Sequence, residues 1–197
     1  MSPDQNKRRL RLPSFGSLAG GSKMVRLGVI GAATVLVIII IAVVASLLSS
    51  SGKGALQSII QVAQDQAELA RVATLAQTQA VDQTVKDLAM SVQLSQETAS
   101  QQTLQYLSKN HMKVSTKTLG QKANAQTTTA LTKAAADNTF DTVFLDAIET
   151  QLSTYGADLQ HAYKANPGPN GQKLLSQEFD GAKLLLEQAK QATPSAN

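Results

Sequence analysis

The side chains able to do chemistry are few, and their spacing points away from catalysis. The chain has two histidines, His111 and His161, and no cysteine. Without cysteine there is no disulfide framework, no thiolate metal site and no cysteine nucleophile. A di-iron helical bundle takes a Glu from each of two helices and a Glu-x-x-His from each of the other two, and no Glu-x-x-His occurs. The nearest arrangement is Asp158-Leu159-Gln160-His161. Its ends sit one helical turn apart and could share a ligand, yet one pair cannot close a bimetallic site, so the segment reads as an ordinary helix surface. His111 has no acidic neighbour and reads as solvated.

Hydrolytic and nucleotide chemistry find no better footing. There is no Gly-x-Ser-x-Gly elbow. Gly168-Pro169-Asn170-Gly171 carries proline in place of a phosphate-loop lysine. Glu68, Glu97, Glu149 and Glu178 fall on four separate helical stretches. A buried acid cluster is one reading of them; four solvated faces is the expectation. Phe140, Phe144, Tyr155 and Phe179 suit a bundle core rather than a cofactor pocket. The sequence therefore offers no catalytic, cofactor-binding or metal-binding residue and implies no cofactor, and the expectation is a protein that is not an enzyme.

The elements that would position these residues begin with a membrane segment. Leu27 to Leu48 is 22 residues without a charge. At about 1.5 Å per residue it reaches roughly 33 Å, enough for a hydrocarbon core of about 30 Å. A cleaved signal peptide has an apolar region of only about 7–15 residues and a small-residue cleavage site. This stretch is longer and ends Ser46-Leu47-Leu48-Ser49, so a retained anchor is expected.

The net charge of +4 resolves along the chain. Lys7, Arg8, Arg9, Arg11, Lys23 and Arg26 against Asp4 leave residues 1–26 at +5 and the remainder at −1. A basic patch confined to one side of an apolar span binds anionic lipid headgroups and places its side in the cytoplasm. A nucleic-acid surface would instead spread Lys, Arg and aromatics over the folded domain, so nucleic acid is not an expected partner. Residues 1–26 read as a flexible cytoplasmic tail, 27–48 as a transmembrane helix, and 49–54 as a linker. The domain at 55–192 then faces outward, with 193–197 as a flexible end.

Beyond the linker the apolar residues take the helical period. Leu56, Ile59, Ile60, Ala63, Ala67 and Ala70 mark a helix over about 55–79. Asp82 would cap a second, in which Val85, Leu88, Val92, Ala99, Thr103 and Tyr106 run to about Asn110. Residues 110–124 read as an exposed crossover, followed by a short helix over 125–136. Thr139 would cap a helix carrying Val143, Phe144, Ala147, Ile148, Leu152, Tyr155, Leu159 and Ala162. Pro167-Gly168-Pro169-Asn170-Gly171 reads as a non-helical turn. A last helix over about 173–191 would bury Leu174, Leu175, Phe179, Ala182, Leu185, Leu186 and Ala189. The fold class is all-α: an antiparallel four-helix bundle with a short extra helix in its crossover.

The runs Glu68-Leu69-Ala70-Arg71-Val72-Ala73, Val85-Lys86-Asp87-Leu88-Ala89 and Phe140-Asp141-Thr142-Val143-Phe144-Leu145-Asp146-Ala147 resemble the bacterial family called domain of unknown function 4142. The resemblance covers about Leu56 to Gln191 and implies a ferritin-like bundle exported beyond the cytoplasmic membrane. That family carries an Asp-His pair on the second helix, another on the fourth, and a His on the last. Here Ser95-Gln96, Gln151-Leu152 and Leu185 stand at those positions, so its metal chemistry is not carried over. The functional expectation is a single-pass cytoplasmic-membrane protein whose bundle plays a structural or protein-interaction role at the cell envelope. Its partners would be the bilayer and an envelope protein or further copies of itself. The alternative is a ligand- or metal-handling ferritin-like module.

Overall fold

A computed structural model describes residues 53–192. The expected tail, the apolar span 27–48 and the C-terminal 193–197 lie outside the described residues. So does most of the linker. Among the described residues no helix is long and apolar enough to cross a membrane.

The described chain is helical throughout. In order come α1 (Lys53–Gln79), α2 (Gln83–Lys109), α3 (Thr116–Leu119), a 3-10 turn (Gly120–Lys122), α4 (Ala125–Ala136), α5 (Phe140–Lys164) and α6 (Gly168–Gln191). The expected linker is two residues too long, because α1 already begins at Lys53. After Gly54 come the good helix formers Ala55 and Leu56, and no proline interrupts. Asp82 does cap α2, its carboxylate accepting from the amides of Thr84 at 2.7 Å and Val85 at 3.3 Å.

α1 packs against α2 and α5, and α6 closes the ring against both α5 and α2. Asp141 at the start of α5 accepts from the amides of Val81 and Asp82 at the α1–α2 turn. Tyr106 near the end of α2 donates to the Pro167 carbonyl at the start of α6. α5 therefore descends parallel to α2 and α6 returns parallel to α1. The crossover climbs the bundle between α2 and α5, the one long connection among the described helices.

Two expectations about helix starts fail, each for a local reason. Thr139 occupies the N-cap of α5, but its side chain makes no capping bond. The run from Pro167 is not a wholly non-helical turn, since α6 begins at Gly168 and takes Pro169, Asn170 and Gly171 into its first turn. The amides of a first turn have no intrahelical acceptor, so proline there costs nothing. Gly168 is left-handed at φ 81°, which glycine adopts freely. The crossover is also more ordered than an exposed loop: it folds into α3 and the 3-10 turn, with Ser115 capping α3.

The core joins Ile59, Val62, Leu69 and Val72 of α1, Val85 and Val92 of α2, Phe144, Ile148, Leu152 and Tyr155 of α5, and Leu175 of α6. The buried face of α1 departs from the expected stripe. Ala67 and Ala70 are half-buried, while Val62, Gln66, Leu69, Val72, Ala73 and Ala76 are buried. From Val62 to Gln66 the helix is buried on every side, because the crossover covers its outer face.

Candidate functional site

Four helices each send one polar side chain to the centre of the bundle. Gln66 sits one turn from Val62 on α1, Thr103 one turn before Leu107 on α2, Tyr155 between Leu152 and Leu159 on α5, and Glu178 between Leu174 and Ala182 on α6. Helical spacing fixes all four on core-facing stripes. Gln66 Nε2 donates to Thr103 Oγ1 at 3.1 Å and to the Tyr155 hydroxyl at 3.0 Å. Thr103 Oγ1 donates to Glu178 Oε1 at 2.7 Å, and the Tyr155 hydroxyl approaches Glu178 Oε2 at 3.5 Å.

Desolvation governs the charge state of this centre. Burial pushes the Glu178 carboxyl up to about 8, against donors from Thr103, Gln66 and Tyr155 that favour its ionised form. Burial and the Glu178 charge together raise the Tyr155 hydroxyl well above its ordinary value. At neutral pH the centre is uncharged, which is the cheaper way to hold a carboxyl in a core.

Beside this centre a cavity of about 50 Å³ opens between α2 and α6. Ser95, Gln96, Thr98, Ala99 and Gln102 form one wall, Gln177, Glu178 and Gly181 the other, and Tyr155 the floor. Gln96 is only 1% exposed, yet its Oε1 has no hydrogen-bond partner among the protein groups. Gln177 Oε1 and Gln102 Nε2 are likewise unpaired.

A second polar cluster ties the crossover to α1. Lys122 Nζ donates to Asp65 Oδ1 at 2.7 Å and to Asp158 Oδ2 at 2.6 Å. Burial pushes the Asp65 carboxyl up to about 7, with Lys122 opposing and Asp158 reinforcing the rise. Asp158 falls below its ordinary value because the bonds from Lys122 and Asp65 outweigh its burial. One turn along α1, Glu68 takes both Arg71 Nε and Nη2 and accepts from the Asn124 amide, while Arg71 Nη1 reaches Thr128. Gln64 Nε2 donates to the Thr118 carbonyl and to Gln121.

The sequence candidates separate accordingly. Glu97 is exposed and Glu149 half-buried, but Glu178 lies in the core and Glu68 beneath the crossover, so the expectation of four solvated acids is corrected at two of them. The helices converge on Glu178 and turn Glu68 toward the chain segment that covers α1. Asp158 serves Lys122. His111 is exposed and left-handed just beyond α2. Of the positions where the resembled family has its Asp-His pairs and its last His, Gln96, Leu152 and Leu185 are buried. Among the described residues no three His, Asp or Glu side chains gather where they could hold a metal. The central quartet went unread in the sequence, although Gln66, Thr103 and Glu178 each interrupt an otherwise apolar stripe.

No family model matches the chain, and no curated protein matches it. Among solved structures the fold is similar to the crystal structure of a DUF305 fragment from Deinococcus radiodurans. The two are 14% identical with a TM-score of 0.58, and the match covers 73% of this chain and 97% of that one. At that identity the likeness establishes the helical architecture alone.

Proposed function

We propose that this protein is a membrane-anchored, extracytoplasmic helical bundle with a structural or protein-interaction role at the cell envelope and no enzymatic one. The apolar stretch Leu27–Leu48 is its anchor, and the basic residues before it rest against anionic headgroups on the cytoplasmic side. Kinship with domain of unknown function 4142, an exported bundle family, belongs to the same reading. The observation that carries the interaction role is where apolar side chains remain exposed. Met90 and Leu94, 50% and 46% exposed, stand one turn apart on α2, with Val81 at the α1–α2 turn and Leu184 on α6. These four lie in the half of the bundle remote from the start of α1, and so from the proposed anchor, while a fifth, Tyr163 at 44%, is exposed near the end of α5 in the other half. Exposed apolar residues are unremarkable singly, whereas a group at one end is the pattern of a contact patch.

Photo-crosslinking in intact cells tests this reading. A crosslinking residue at Met90 or Leu94 should trap an envelope protein or a second copy, and one at exposed Thr150 on α5 should not. Equal yields from all three positions, or none, would remove the interaction role. A second reading, a ligand-handling module, is favoured by one feature: the cavity between α2 and α6 with its unpaired amides.

A further inference from the structure

We propose that the crossover, residues 110–124, is a pH-sensitive strap that lies closed over the outer face of α1 in acid and lifts from it as the pH rises to neutrality. Its fastening is one ammonium, Lys122 Nζ, set between the carboxyl groups of Asp65 on α1 and Asp158 on α5. The device is separate from the exposed patch on α2 and does not depend on the interaction role.

The strap covers α1 without being built into the core. Neither α3 nor the 3-10 turn contributes a buried residue, and the apolar hold of the segment is Met112 and Val114, half-buried just beyond α2. Yet α1 beneath it is buried on every side from Val62 to Gln66. What joins the two is polar: Gln64 Nε2 to the Thr118 carbonyl and to Gln121, Lys122 to both aspartates, and the Asn124 amide to Glu68. On one side α4 is seated by Leu131 and Ala134; on the other the chain leaves α2 through His111, left-handed at φ 60°. A cover tied down by side-chain bonds between two seated helices is the part of a fold that opens at the lowest cost.

The fastening carries one negative charge too many. Two carboxyl groups face a single ammonium, and Asp65 Oδ2 is buried with no donor among the protein groups. A proton on Asp65 removes the excess charge and turns that acceptor into a donor. The surrounding groups leave this balance in place. On α1, Glu68 is paired with Arg71. On α5, His161 is exposed one turn beyond Asp158, and the Tyr155 hydroxyl stays neutral. The closed strap accordingly holds the Asp65 carboxyl up to about 7, against its ordinary 3.8, whereas lifting the strap returns it to water. Between those values the closed form keeps a proton that the open form has released. Closure therefore weakens as pH rises through this window, by up to about tenfold per pH unit, and levels off above about pH 7. Lifting uncovers Gln64, Asp65 and Glu68, a polar band whose Asp65 is then ionised.

Hydrogen exchange of the full chain in detergent tests the device, read by mass spectrometry at about pH 5 and about pH 8 and corrected for the intrinsic pH dependence of exchange. The bonded amides of Leu119, Gly120 and Ala123 report the strap, and those of α2 report the bundle. Relative to α2, the strap amides should lose protection by roughly tenfold or more between the two pH values. Asp65→Asn keeps the shape and cannot ionise. Asp158→Asn removes the excess charge from the other side, at a side chain 32% exposed where the change is readily accommodated. Each should leave the strap equally protected at both pH values, and Lys122→Gln should loosen it at both. Strap protection that follows α2 at both pH values would overturn the proposal. So would a pH response that survives unchanged in either aspartate variant that folds, or full protection in Lys122→Gln.

Discussion

Glu178 is a carboxyl held in the core, and its effect on stability has a definite sign. Its ordinary value of 4.5 is raised to about 8 in the fold. Between those values the unfolded chain has released the proton that the folded chain still binds, so folding stability falls as pH rises through this window. Asp65, raised to about 7, adds to the same slope. Glu178→Gln should flatten the decline between about pH 5 and 8 and leave the variant more stable than the parent at about pH 8, as read from urea midpoints. An unchanged slope would mean that Glu178 is ionised in the core. The histidines belong to this scale too. Calorimetric titration with iron, copper or zinc should show no stoichiometric submicromolar event, because one imidazole beside Asp158 is too few ligands. Such an event, abolished by His161→Ala, would contradict the non-enzymatic reading.

Two glycines of α6 make opposite predictions at the scale of the element. A Cβ on Gly171 would sit 2.6 Å from Pro167 Cβ and 2.7 Å from the Tyr106 hydroxyl, the group that donates to the Pro167 carbonyl. Gly171→Ala should force the helix start away from α2 and cost about 1–3 kcal/mol. Gly181 faces open space, so Gly181→Ala should stabilise by about 0.5–1 kcal/mol through helix propensity. Chemical denaturation of the pair decides between packing and propensity; loss of stability in both would mean that α6 is tightly packed along the whole seam. The crossover depends on Lys122. Lys122→Ala leaves the buried Asp65 opposite Asp158 without a cation, and should cost roughly 1–2 kcal/mol after allowance for the partial exposure of Lys122. Faster amide exchange in α3 and α4 than in α2 would accompany it.

The whole molecule is expected to be held by its apolar stripes, with polar groups setting specificity. Phe144 is fully buried and stacks on Phe140 with ring centroids 6.2 Å apart. Phe144→Asp should cost several kcal/mol by placing an unpaired charge in the core, and a parental melting temperature would mean that the stripe is not packed. Topology is tested at the same scale. Protease added outside the cytoplasmic membrane should digest the chain beyond about Ser49 and leave residues 1–26 protected, with the protein retained in the membrane after a high-salt wash. A soluble chain beginning near residue 50 would identify Leu27–Leu48 as a cleaved signal.

The helices, their order and most of their core were legible in the sequence, because the 3.6-residue period places Phe144, Ile148, Leu152 and Leu159 on one side of α5 whatever they touch. Caps with a local mechanism, such as Asp82, were legible for the same reason. Pairings between residues far apart in the chain were not. Gln66 and Tyr155 are 89 positions apart, and Thr103 and Glu178 are 75 apart. A polar residue on an apolar stripe has two outcomes, a solvated edge or a shared interior bond, and nothing within its own helix chooses between them. Gln66, Thr103 and Glu178 meet only because α1, α2 and α6 converge at one height. Lys122 likewise finds Asp65 and Asp158 only after the crossover has climbed over α1. Local periodicity determined which faces turn inward; the tertiary structure alone decided which of their polar groups find partners, because that depends on the relative register of helices that the chain connects through long segments.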